Sequence, residues 1–209
     1  MVVSLFSLQL LHFLAISFHL KQKINLRKLI KSPIQPATKF ISLFLIGLIV
    51  WFTCYHYLYK FDVIFGNSFD SLLKFSEILA NQSNSLLGII GFEPLLEIRG
   101  DMVVTKLANF PYSHGVWIGE PCNGVKIFGV FSIFIICFRG TILNKIWFIF
   151  TGIVILHFLN VVRIAALTYI AAVQPLWLNF NHNITFQIIV YGTMGLLWII
   201  WIKKFSSSK

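Results

Sequence analysis

One of the chain's three cysteines is set apart by its neighbours. Cys122 follows Glu120 and Pro121 and precedes Asn123 and Gly124, at the head of an apolar stretch. The thiolate is the nucleophilic form of cysteine, and a helix N-terminus lowers a thiol pKa through its unpaired N–H groups and the helix dipole. Pro121 suits a first helical turn, where its missing N–H costs nothing. Gly124 leaves room for a neighbouring backbone to approach. Lys126 falls one turn further along the same helix face and adds positive potential. Cys54 lies within an apolar run and Cys137 near a basic turn. There a cysteine is ordinarily a small apolar filler. An odd number of cysteines does not read as a disulfide framework.

Two further residues complete a set that could do acyl-transfer chemistry. Arg163 can stabilise a thiolate or an oxyanion through its planar fork of donors. His182 can act as a general base and then as an acid toward a leaving amine. Asn160 is three residues before Arg163 on one helix face, placed to orient it or to donate a hydrogen bond. His157, a turn deeper, is expected to be structural. Singly, each has an ordinary explanation. An arginine near a membrane helix end snorkels to the headgroups, and a loop histidine is usually only that. Their significance depends on the elements that carry them.

Those elements are membrane spans. Hydrophobic residues make up 57% of the 209 and charged residues 11%, against about a quarter charged in soluble domains. With a mean hydropathy of +0.82, the composition argues against a soluble globular enzyme. We expect an all-α polytopic membrane protein with four or five transmembrane helices. The count turns on the uncharged segment 1–20. A basic cytoplasmic loop (21–39) follows, broken by Pro33 and Pro36. Spans are expected over 40–59, 122–138, 146–173 and 184–202. The polar segment 60–121 should hold a helix along the membrane surface (70–87) and a short β-hairpin around Pro111–Gly115. The organisation is then 1–39 as N-terminal segment and loop, 40–203 as membrane domain, and 204–209 as cytoplasmic tail.

The formal net charge of +10 would suggest nucleic acid in a soluble protein. Its distribution suggests topology instead. All seven acids lie between Asp62 and Glu120, a stretch with a balance of −4, while the rest carries +14. Lys and Arg cluster at 21–39, at Arg139 and Lys145, and at Lys203, Lys204 and Lys209. These are the loops that alternate spans would leave in the cytoplasm. No nucleic-acid partner is expected; the immediate surroundings are membrane lipids.

The inside anchors give depth. Cys122 is 17 residues from Arg139, Arg163 is 18 from Lys145, and His182 is 21 from Lys203. At about 1.5 Å per residue these are ~25, ~27 and ~32 Å above the inner face. The hydrocarbon core is about 30 Å thick. Three chemistry-bearing residues on three segments should therefore meet at the outer interface.

Glu120-Pro121-Cys122-Asn123-Gly124 resembles the cysteine motif of the exosortase/archaeosortase family. Asn160-Val161-Val162-Arg163 resembles its second motif, and His182 its third position. The resemblance covers roughly residues 40–203. It implies a membrane cysteine protease or transpeptidase of the bacterial inner membrane, with its active site at the extracytoplasmic face. It also implies the partners: exported proteins ending in a short motif, a transmembrane helix and a basic tail. A lipid or polysaccharide acceptor is left open. Cys122 would be the nucleophile, Arg163 the thiolate or oxyanion stabiliser and His182 the acid/base. Glu120, Asn123, Gly124, Lys126 and Asn160 would support them. No cofactor and no metal are expected.

Two other readings stand beside this one. A non-catalytic membrane assembly or transport subunit could bind an anionic ligand through Arg163. A metal site built from His114, His182 and Cys122 is disfavoured, because the spacing fits no compact ligand motif and Arg163 would repel a cation.

Overall fold

The computed structural model describes residues 35–64, 71–99, 102–119 and 122–205. The apolar segment 1–20, the basic loop up to residue 34, Glu120 and residues 206–209 lie outside the described residues. Four apolar helices run through the described part. They are α1 (Gln35–Ile64), α3 (Val125–Cys137), α4 (Ile142–Val173) and α5 (Pro175–Phe205). Three are long and apolar enough to cross a membrane, and α3 is shorter. Between α1 and α3 lie helix α2 (Ser71–Ile89) and strands β1 (Pro94–Arg99), β2 (Met102–Leu107) and β3 (Val116–Ile118). The polytopic helical architecture expected from composition is the one observed.

The boundaries differ from expectation for physical reasons. α1 starts at Gln35 rather than 40, because Pro36 falls in the first turn, where no N–H is needed. α4 starts at Ile142 rather than 146. Lys145 belongs to its first turn, and its Nζ donates to the Ile136 carbonyl at 2.6 Å, near the end of α3. A cation suits unpaired carbonyls there. The largest departure is α5. It begins at Pro175, nine residues before the expected 184. Asn179, Asn181 and Asn183 make this stretch look like a loop, yet Pro175 at the first position starts a helix. His182 therefore lies within a helix, not in a loop before it. At the other end Phe205, assigned to the tail by sequence, closes α5 and stacks on Trp201 at 5.3 Å.

Two cores stack along α4. The first is aromatic: Phe44, Phe131, Phe134, Phe148, Trp198 and Trp201 are buried together. Phe134 and Trp198 stack at 4.2 Å. α1 approaches α3 closely, since a Cβ at Gly129 would overlap the Trp51 ring. The outward residues of α1, such as Ile41, Leu45, Ile46 and Ile49, are exposed and face the lipid in the polytopic reading.

The second core joins α2 and the sheet to the C-terminal half of α4. Leu79, Ala80, Val103 and Ile118 pack with Val161 and Ile164. The Ser83 hydroxyl donates to the Val161 carbonyl at 3.1 Å. The helix expected over 70–87 is present and has α4 and the sheet as packing partners. The hairpin is present as β2 and β3, with Val104 opposite Trp117. It is part of a three-stranded antiparallel sheet in the order β1-β2-β3. β1 is an edge strand opened by Pro94, a position a strand tolerates, and Glu97 pairs with both Arg99 and Lys106.

Candidate active site

The site forms where the turn before α3 meets α4 and α5. In that turn the Cys122 N–H donates to the Gly119 carbonyl at 2.9 Å. The Asn123 Oδ1 accepts the Val125 N–H at 3.1 Å, a local Asx turn that starts the helix. Gly124 caps α3 in the left-handed region, at φ 84°. A Cβ there would sit 3.0 Å from the Asn160 Nδ2. The amide of Asn160 thus passes against Gly124 and donates to the Cys122 carbonyl at 2.9 Å. α4 fixes the cysteine turn through one buried side chain, and the glycine makes room for it. The neighbour that Gly124 admits is a side-chain amide, not the backbone expected from sequence.

The cysteine sulfur points to α5. Cys122 Sγ and His182 Nε2 are 3.4 Å apart, although 60 residues separate them in sequence. The other ring nitrogen, His182 Nδ1, is 3.1 Å from Asn183 Oδ1. Arg163 is buried on α4, one turn beyond Asn160, with 7% exposure. Its Nε has no hydrogen-bond partner among the described residues, and neither does the buried Asn123 Nδ2. The structure thus gathers Cys122, Asn123, Gly124, Asn160 and His182 into one set of contacts, with the Arg163 guanidinium close enough to act on the Cys122 thiol.

Two sequence expectations change. Cys122 lies two residues before the helix cap, and its thiol is not lowered. Burial pushes it up, and the Arg163 guanidinium only partly holds it down. Lys126 does not supply that field. Its ammonium lies 5.0 Å from the centre of the Tyr55 ring on α1, a cation–π contact. Asn160 fills the second of the two roles expected of it: it donates a hydrogen bond, and the acceptor is the Cys122 carbonyl. The supporting role expected of Glu120 falls outside the described residues.

The remaining candidates lie elsewhere. His157 Nε2 meets Gln82 Oε1 at 2.7 Å and sits between Phe75 and Phe128, tying α2 to α4. His114 lines a cavity between the β2–β3 loop and the start of α5, with Pro111, Ser113, Pro175 and Leu178. Cys54 is exposed on α1 and Cys137 is half-buried at the end of α3. Among the described residues no group of three His, Cys, Asp or Glu side chains is placed to hold a metal ion.

Against known protein families, the transmembrane exosortase family matches over residues 58–202. The chain belongs to that family. Neither the curated proteins nor the solved structures yield a match. In this exosortase the matched stretch starts near the C-terminal end of α1. It runs almost to the end of α5, so it contains the cysteine turn and both helices that meet it.

Sequence reasoning missed Asn183 and Asn179. The Asn183 Nδ2 donates to the Asn179 Oδ1. The signal available was the run Asn179, Asn181, Asn183 around His182, which reads as loop composition until the helix is seen.

Proposed function

We propose that this exosortase-family protein is an integral-membrane cysteine protease or transpeptidase acting at the outer face of the bacterial inner membrane. Its substrates would be exported proteins carrying a C-terminal short motif, transmembrane helix and basic tail. The observation that carries this reading is the 3.4 Å contact between Cys122 Sγ and His182 Nε2, beside a buried arginine. Nucleophile and base within hydrogen-bond reach, with the base oriented by a third group, is the signature of covalent catalysis.

Burial pushes the thiol pKa up, and a base beside the sulfur serves its attack. Cys122 Sγ attacks the scissile carbonyl while His182 Nε2 takes the thiol proton. The carbonyl oxygen becomes an oxyanion, and Arg163 stabilises its charge. A buried donor without a partner costs about 1–3 kcal/mol, so Arg163 Nε gains most from an acceptor that develops during the reaction. The tetrahedral intermediate collapses to a thioester between Cys122 and the exported part of the substrate. The amine leaves with the proton from His182, still attached to the transmembrane tail. A nucleophile then attacks the thioester, giving its proton to His182, and the thiol is regenerated. Water would give hydrolysis, and a lipid or polysaccharide hydroxyl would give transfer to an acceptor.

The test uses cells that express the protein with an exported reporter ending in such a tripartite signal. Cys122→Ala is expected to abolish processing and leave membrane insertion intact. A Cys54→Ala/Cys137→Ala double variant is expected to process normally. Equal processing by Cys122→Ala and wild type would overturn the proposal.

A further inference from the structure

We infer that Asn183 is the positioning residue of the site: it holds the His182 imidazole in the tautomer that leaves Nε2 free to accept the Cys122 proton. This rests on the cysteine-nucleophile reading above and adds to it a residue on which that reading does not depend.

The argument follows the hydrogen bonds outward from the sulfur. Cys122 Sγ faces His182 Nε2 at 3.4 Å. His182 Nδ1 faces Asn183 Oδ1 at 3.1 Å. The Asn183 Nδ2 in turn donates to the Asn179 Oδ1. A side-chain amide carries one acceptor oxygen and one donor nitrogen. With Nδ2 committed to Asn179, the oxygen is what Asn183 offers the ring. An oxygen that only accepts requires Nδ1 to carry the hydrogen. A neutral imidazole has one N–H, so Nε2 is then the bare nitrogen, and it is the one against the thiol. With the two amides oriented in this way, the chain Asn179–Asn183–His182–Cys122 puts the hydrogen on Nδ1 and leaves Nε2 bare, the arrangement a general base needs.

The backbone supports the same conclusion. On a regular helix neighbouring side chains do not face each other, so an i,i+1 pair such as His182 and Asn183 would diverge. Here α5 widens into a π-turn at Asn181–Thr185, where the Phe186 N–H bonds the Asn181 carbonyl five residues back. Such single-turn π-segments recur at functional sites. The Asn183 amide is anchored at its other end by Asn179, four residues back.

The test reads the thiol directly and needs no substrate. In a Cys54→Ala/Cys137→Ala background Cys122 is the sole thiol, and its alkylation by iodoacetamide can be timed in purified full-length protein at neutral pH. His182→Ala should slow the reaction, since the buried thiol loses its base. Asn183→Ala should slow it about tenfold, the worth of one ordinary hydrogen bond, without a matching loss of thermal stability. Asn183→Asp keeps an acceptor opposite Nδ1–H and should restore the rate to within about threefold of the parent. An unchanged rate in Asn183→Ala, with His182→Ala slowed, overturns this inference and leaves the proposed function standing. An unchanged rate in His182→Ala removes the base itself, and the proposed mechanism with it. If Asn183→Asp is as slow as Asn183→Ala, Asn183 supports only the shape of the helix and the inference fails.

Discussion

Replacing Gly124 by alanine should damage the site through Asn160, and the structure gives the size of the effect. The residue sits at φ 84°, where an L side chain costs about 1–2 kcal/mol. The new Cβ would lie 3.0 Å from the Asn160 Nδ2 and 3.3 Å from the Phe128 ring. The amide must give way, and its 2.9 Å bond to the Cys122 carbonyl is the bond it would lose. One such bond contributes about 0.5–1.5 kcal/mol. Together these come to about 1.5–3.5 kcal/mol at the turn. Felt at the nucleophile, that strain should lower processing by about 10- to 400-fold, at 1.36 kcal/mol per factor of ten. The assay is a double-mutant cycle on the initial rate of reporter processing, with Gly124→Ala, Asn160→Ala and both. Once the amide is absent, the alanine has less to displace. The cost of Gly124→Ala should therefore shrink by about 1 kcal/mol in the Asn160→Ala background. Strictly additive effects would show that Gly124 does not act through Asn160, and a wild-type rate in Gly124→Ala would refute the turn geometry.

Two other substitutions address different parts of the molecule. Arg163→Lys keeps the charge but not the planar fork, so processing should drop by at least about tenfold; a near-normal rate would mean the buried guanidinium is not used in the reaction. Gly129→Leu forces a side chain into the Trp51 ring at the α1–α3 contact. It should destabilise the detergent-solubilised protein by about 1–3 kcal/mol, read as a lower melting temperature, and an unchanged melt would contradict that packing.

Much of this site was legible before the fold. Residue-by-residue depth, counted from the basic anchors, put Cys122, Arg163 and His182 at one level. The contacts among Cys122, Asn160 and His182 agree with that count. Hydropathy located the apolar helices, because a bilayer demands long uncharged runs. It did not locate their ends, since a proline inside a first turn and a lysine serving a neighbouring carbonyl look like breaks in a linear reading. The asparagines around His182 show the limit most plainly. Their composition says loop, and only the helix that begins at Pro175 turns Asn179 and Asn183 into a relay. The thiol was misjudged for a related reason. A helix N-terminus is visible in sequence, but the desolvation that outweighs it arises from burial among helices far apart in the chain. Lys126 likewise had its position predicted and its partner not, because Tyr55 approaches from another helix.

The central claim is that Cys122 carries the substrate as a thioester. The measurement is mass spectrometry of the protein recovered after a short incubation with a tripartite-signal substrate, under acidic quench. The account predicts a peptide containing Cys122 bearing the exported segment, sensitive to neutral hydroxylamine, and absent in Cys122→Ala. Signal-dependent cleavage without any adduct at Cys122, and with full activity in Cys122→Ala, would contradict it.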